Sequence, residues 1–360
     1  MDWRNYITVN LRVAVRSGAL LFFLIFLSAA WLYFFIAPTS YIWVMDAGDQ
    51  LNKTYLVKMC PNGKRLWQVQ FGQSGQIAYD PNQNAVWAPE LGDIGDLHYD
   101  QLVKVAQDGR VEDRIQGYRT RTLAVDPRDS RLWAQKLIAP PGQSQYDYLL
   151  AQLAPNGKFL SSRRGIVPMG FWSLSLDPRN GTVWIGASKK LIHLTPEWVI
   201  LFETSDVDFF SNGLHQIAVD PLNGDVWHTT MRGDVYRRSW DGTVQAKTGG
   251  LSNPIAVAIY PQDHSAWVAN SNYDQSVAGS VVKISPAGEI LFKMETPSHA
   301  HLVGVNPYDD VVWVGYEGGI LLLDQSGELL NTLAGFNTPI SIAFSQPESV
   351  WKGLRDCMMK

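Results

Sequence analysis

His299-Ala300-His301 sets two imidazoles two residues apart in a stretch of strand-like sequence. On an extended strand, residues i and i+2 point to one side, so both rings can reach one divalent metal. Oxygen-bearing side chains recur as well. Asp46, Glu90 and Asn270 each stand three residues after a tryptophan. A third set comprises Arg121, His215 and His301, each five residues before Asp126, Asp220 or Asn306. Arg121 with His215 offers donors to an anion, and His215 offers a third nitrogen to a metal held by His299 and His301. Against each assignment stands a plainer one, that of polar side chains lining a wet channel or histidines bonded to their own loops. No GxSxG, HExxH, P-loop, CxxC or CxxCH occurs in the chain.

The candidates share positions because the chain repeats. LAVDPRDSRLWAQ (residues 123–135), LSLDPRNGTVWIG (174–186) and IAVDPLNGDVWHT (217–229) are the clearest copies; 77–89, 257–269 and 303–315 are weaker ones. Their anchors, Trp43, Trp87, Trp133, Trp184, Trp227, Trp267 and Trp313, lie 40 to 51 residues apart. A period of that length with strand-like content marks a β-propeller. In each unit a short apolar strand ends at Asp-Pro, where Pro fixes φ and Asp bonds the turn backbone. The next strand carries the Trp between blades. A third strand closes on Asn-Gly, Asp-Gly, Ala-Gly or Ser-Gly before a fourth, as in RLWQVQF and EILFKME.

Counting strands sets the closure. The chain starts on a second strand, at Trp43, and ends on a first strand, near Phe344. Residues 339–344 therefore complete the blade begun by Trp43, giving an all-β, seven-bladed propeller with no open edge. Trp351 is left for a packed tail, with an irregular or eight-bladed closure as the alternative. Cys60 and Cys357 fall on the closing blade and are expected to form a disulfide across it; two free thiols are the alternative.

The unit IAVDPxxGxVWVAN followed by VVKISPAGEIL resembles the NHL, virginiamycin-B-lyase-like and gluconolactonase-like propeller group over residues 40–350. That resemblance implies the architecture and leaves activity open, since the group holds lactonases, lyases and noncatalytic binding modules. It also implies where a metal would sit, on acidic and amide residues of the loops that here carry Asp46, Glu90 and Asn270. The longest such loop, residues 88–100, adds Asp93, Asp96 and Asp100, which could take Ca²⁺ or a basic partner but lack EF-hand spacing.

Residues 18–37 read GALLFFLIFLSAAWLYFFIA, twenty without a charge, enough to cross a bilayer core as one helix. A cleaved signal peptide is the competing reading, and the length of the apolar run argues against it. Arg4, Arg12 and Arg16 precede the span, which keeps residues 1–17 in the cytoplasm and exports residues 38–360 to the periplasm or the outside. With 46% hydrophobic residues, 18% charged and a net charge of −4, the chain is neither disordered nor a coiled coil, and nothing in it suggests a nucleic-acid partner. The expected function is that of a noncatalytic binding or accessory subunit of a membrane-protein complex, with no obligate cofactor. A metal-dependent lactonase, hydrolase or lyase at the channel mouth is the alternative. Asn52 and Asn180 open sequons that matter only where glycosylation machinery exists.

Overall fold

The computed structural model describes residues 40–48, 53–92, 100–138, 147–166, 171–187, 190–204, 214–272, 277–348 and 356–357. The chain divides into two units, Tyr41–Gln346 and the ends Met1–Ser40 with Pro347–Lys360. The first holds seven four-stranded antiparallel sheets.

Blade 1 is β1 (Ile42–Ala47), β2 (Thr54–Met59) and β3 (Arg65–Phe71), with β28 (Thr338–Phe344) as its innermost strand. Blade 2 runs outward through β4 (Ala78–Asp80), β5 (Ala85–Glu90), β6 (Gln101–Ala106) and β7 (Val111–Gln116). Blade 3 follows as β8 (Leu123–Val125), β9 (Leu132–Ile138), β10 (Asp147–Leu153) and β11 (Phe159–Arg164). Blade 4 comprises β12 (Phe171–Leu176), β13 (Val183–Ala187), β14 (Lys190–Leu194) and β15 (Ile200–Thr204). Blade 5 is β16 (Leu214–Val219), β17 (Val226–Thr230), β18 (Val235–Arg238) and β19 (Val244–Thr248). Blade 6 has β20 (Asn253–Tyr260), β21 (Ser265–Ser271), β22 (Ser280–Ile284) and β23 (Ile290–Glu295). Blade 7 has β24 (Ala300–Val305), β25 (Val312–Tyr316), β26 (Gly319–Leu323) and β27 (Leu329–Ala334). The expected closure is present: β28 pairs with β1, Ile42 opposite Phe344 and Trp43 opposite Ala343.

The seven anchor tryptophans are all fully buried. Each lies in register opposite a small residue of the inner strand: Ala343, Ala78, Ala124, Ser175, Ala218, Ala258 and Gly304 in blade order. An indole needs that space beside it, so the two positions form one packing unit. Trp67 meets Trp43 edge-on at 5.1 Å and Trp198 meets Trp133 at 5.2 Å, which makes two further tryptophans part of the same layers.

Opposite the same tryptophans, the third strand in five blades carries a polar side chain that reaches into the next blade; in blade 2 the position is Lys104, which pairs with Glu112 of its own blade at 3.0 Å. Lys58 Nζ donates to the Gln107 carbonyl at 2.9 Å, Gln152 Nε2 to that of Pro196 at 2.7 Å, and His193 Nδ1 to that of Trp240 at 2.9 Å. Arg237 Nη1 bonds the Pro286 carbonyl and Lys283 Nζ the Gln325 carbonyl, both at 3.0 Å. Leu322 occupies the position in blade 7, so the seam toward blade 1 packs Ile42, Val44, Val57 and Met59 against Trp313, Ile320 and Leu322. The inner strands are tied by side chains: Ser341 Oγ accepts from the Ile77 N–H, Ser173 Oγ from Ile217 and Gln216 Oε1 from Val257.

The expected membrane helix over 18–37 and Trp351 lie outside the described residues. Among the described residues no helix is long and apolar enough to cross a membrane. Cys60 and Cys357, the chain's two cysteines, are both disulfide-bonded.

Candidate functional site

Strand register gives the disc two ends. Connections from inner to second and from third to outer strand lie at one, the turn end; the remaining connections lie at the other, the loop end. The oxygen and imidazole candidates all fall at the loop end.

Asp46 closes β1 and is 6% exposed. Its two carboxylate oxygens accept the backbone N–H groups of Asn337 at 3.1 Å and Thr338 at 2.9 Å, pinning the start of β28. Burial raises its pKa, against those two hydrogen bonds and the nearby Arg65. Asn270 does the same in blade 6, its Oδ1 accepting from the Asn253 N–H at 2.9 Å while its amide donates to Ser280 at 3.0 Å. Glu90 repeats the device in blade 2, accepting from the Gly72 N–H at 2.9 Å and from Gln101 Nε2 at 2.6 Å, and pairing with Arg114. In blades 1 and 6 the position three after the tryptophan is thus a backbone cap that fixes the entry to the inner strand of its own blade, and in blade 2 it caps the backbone just after β3 of blade 1. Its residue type is explained by capping in all three cases, and the three lie in different blades with separate partners.

Asp100, in the acidic loop, is likewise committed. It is buried, pairs with Arg119 at 3.0 Å and accepts from the Gly92 N–H at 3.1 Å. Asp93 and Asp96 lie outside the described residues. Arg121 presents an exposed side chain, while its carbonyl accepts the Gln76 N–H at 2.8 Å. The approach there is so close that a Cβ on Gly75 would stand 2.1 Å from that carbonyl oxygen, so blade 2 requires glycine at this point. His215 is on β16, and its side chain is outside the described ones.

The histidine pair is the one constellation the structure keeps together. The His299 and His301 rings are 6.2 Å apart between centroids. His299 Nδ1 is 3.3 Å from Ser271 Oγ, and His301 Nε2 is 3.4 Å from Glu317 Oε1. Burial lowers the His301 pKa, with Glu317 acting against it, so the ring tends to the neutral form that ligates metals. Glu317 escapes a search based on the repeat because it lies one place beyond the capping position of blade 7. Even so, among the described residues no three His, Cys, Asp or Glu side chains stand in an arrangement that could hold a metal ion.

At the turn end the channel opens as a cavity of about 320 Å³, bordered by Ile217, Val219, Val257, Ile259, Val305 and Phe344. Ser175 and Gln216 are its polar side chains, and both already accept backbone N–H groups, from Val219 at 3.1 Å and from Val257 at 2.8 Å. The repeat had pointed to the loop end; it carries no signal for this opening, because the lining positions are ordinary strand valines and isoleucines.

No family profile and no curated protein matches the chain. Among solved structures, apo AztD from Citrobacter koseri matches with a TM-score of 0.61 and 10% identity, over 87% of this chain and 100% of its own. At that identity the likeness establishes the propeller fold and says nothing of a ligand.

Proposed function

We propose that the protein is a noncatalytic binding or accessory subunit of a membrane-protein complex, anchored by residues 18–37 and presenting its propeller outside the cytoplasm. Its repeats are of the NHL and gluconolactonase-like type, used here for a rigid surface. The observation that supports this most is the fate of Asp46, Glu90 and Asn270. A metal-dependent enzyme of this shape needs such groups converging on one point, and here each is engaged with a separate stretch of backbone. The test is native electrophoresis of crosslinked, gently solubilised source membranes. The full chain is expected in a species several times its own mass, and a lone monomer would count against the reading.

A second reading, a metal-dependent lactonase, hydrolase or lyase, draws on His299, His301 and Glu317. Titration of the protein with Zn²⁺, Mn²⁺ or Ca²⁺ separates the two. Stoichiometric binding abolished by His301→Ala would favour the enzyme, and its absence favours the scaffold.

A further inference from the structure

The two ends of the disc differ in what they offer a membrane. β1 begins at the turn end, since Ile42 is paired with Phe344, the last residue of the inner strand, and with Met59, the last of the third. Four residues separate Ile42 from Ala37, the last of the apolar run. Fully extended they reach roughly 14 Å. With residues 18–37 in the bilayer, the covalent connection alone ties the start of β1, at the turn end, to the span by that short tether.

That end is also where apolar surface lies. Of the fifteen exposed large apolar side chains among the described residues, thirteen sit in the turns of that end or on the first two residues of an outer strand; Met231 and Val277 are the exceptions. They occur in consecutive blades. Ile200 and Leu201 open β15, Ile290 and Leu291 open β23, and Leu329 and Leu330 open β27. Leu222, at 60% exposure, and Tyr308 follow the prolines of the inner turns, and Trp240, at 59%, tops a turn of blade 5. A monomer in water gains nothing from this distribution, whereas Trp and Tyr with aliphatic neighbours suit the headgroup boundary.

Charge narrows the lipid. The turns of the same end carry both signs, Lys64, Arg110, Lys158 and Arg179 among them, with acids such as Asp241, Asp263, Asp324 and Glu328 in excess, so attraction to anionic lipid is not what holds it. We propose that the turn end of the propeller lies against the bilayer that holds residues 18–37, through apolar contacts with a zwitterionic surface, leaving the loop end free for a partner. This rests on the anchored reading of residues 18–37.

The test places one nitroxide at a time on the full chain in phosphatidylcholine vesicles, using Leu291→Cys, Leu330→Cys, Val277→Cys and Leu24→Cys. The native cysteines are oxidised and take no label. Collision with a water-soluble nickel chelate is expected to be several-fold slower at 291 and 330 than at 277, with little change when salt is raised. If either 291 or 330 is as accessible as 277 while 24 is shielded, the anchor stands and the orientation is wrong. If 24 is as accessible as 277, the anchor and the orientation fall together.

Discussion

Asp46 shows how one residue type can suggest two roles. A carboxylate three places after a blade tryptophan reads as a cation ligand, and the structure uses it to accept two backbone N–H groups of the closing strand. Sequence could not separate these, because ligating and capping ask for the same oxygen atoms, and only the neighbours' directions differ. The roles predict different behaviour. Asp46→Ala should destabilise the fold by about 2 kcal/mol in urea unfolding, from loss of charged hydrogen bonds to a buried backbone. Asp46→Asn should retain only part of that stabilisation, since its one amide oxygen can accept one of the two N–H groups, as Asn270 does, while its NH2 faces the other. A metal ligand would instead show little change in stability without metal. His193 supplies a second test. It stacks on Trp184 at 4.2 Å, accepts from Thr182 Oγ at Nε2 and donates from Nδ1 to the Trp240 carbonyl. Burial lowers its pKa from 6.5 to about 4. The unfolded chain therefore takes up a proton that the native state refuses, and stability falls as pH drops from 6.5 to 4. His193 alone accounts for roughly 3 kcal/mol of that loss. His193→Gln should flatten this limb of the urea midpoint against pH; an unchanged slope would remove His193 from the account.

At the scale of elements, the sequence was most readable where a strand repeats a physical need. Asp-Pro or its analogue marks the inner turn, and the Trp marks the second strand. The Ala, Ser or Gly opposite each Trp was also there in every repeat, but its meaning appears only with the register that sets it beside the indole. Ala258→Leu should therefore push Trp267 from its place and lower stability by about 2 kcal/mol, an overpacking cost, with a loss of near-ultraviolet dichroism. Leucine at exposed position 262, in the turn that follows, should leave both unchanged. The interblade bonds of Lys58, Gln152, His193, Arg237 and Lys283 were not legible, since side chains of four different kinds satisfy one requirement, a donor long enough to reach a neighbouring carbonyl. The histidine pair was legible as a pair; its carboxylate neighbour Glu317 was not, because it lies just after β25, one place beyond the capping position of the repeat.

For the whole molecule, closure was foreseen because strand counting is independent of side-chain detail. The expected bond between Cys60 and Cys357 adds a covalent clasp to a hydrogen-bonded one. A peptide map without reductant should yield one linked species joining the two, and reduction should lower stability by roughly 4 kcal/mol, the scale for a very long enclosed loop. Two separately alkylated peptides from the unreduced protein would sink this. The channel opening at the turn end was invisible beforehand, since it arises from the inner strands of five blades standing together and from no residue in particular. The joining of β28 to β1 has a consequence in time. A ribosome makes β1 among the first strands and β28 last, so blade 1 waits as three strands, its inner backbone edge unpaired, until nearly all of the chain exists. Assembly cannot finish in the order of synthesis. A chain truncated before Thr338 keeps six complete sheets and one raw edge, and that edge invites pairing with another unfinished copy.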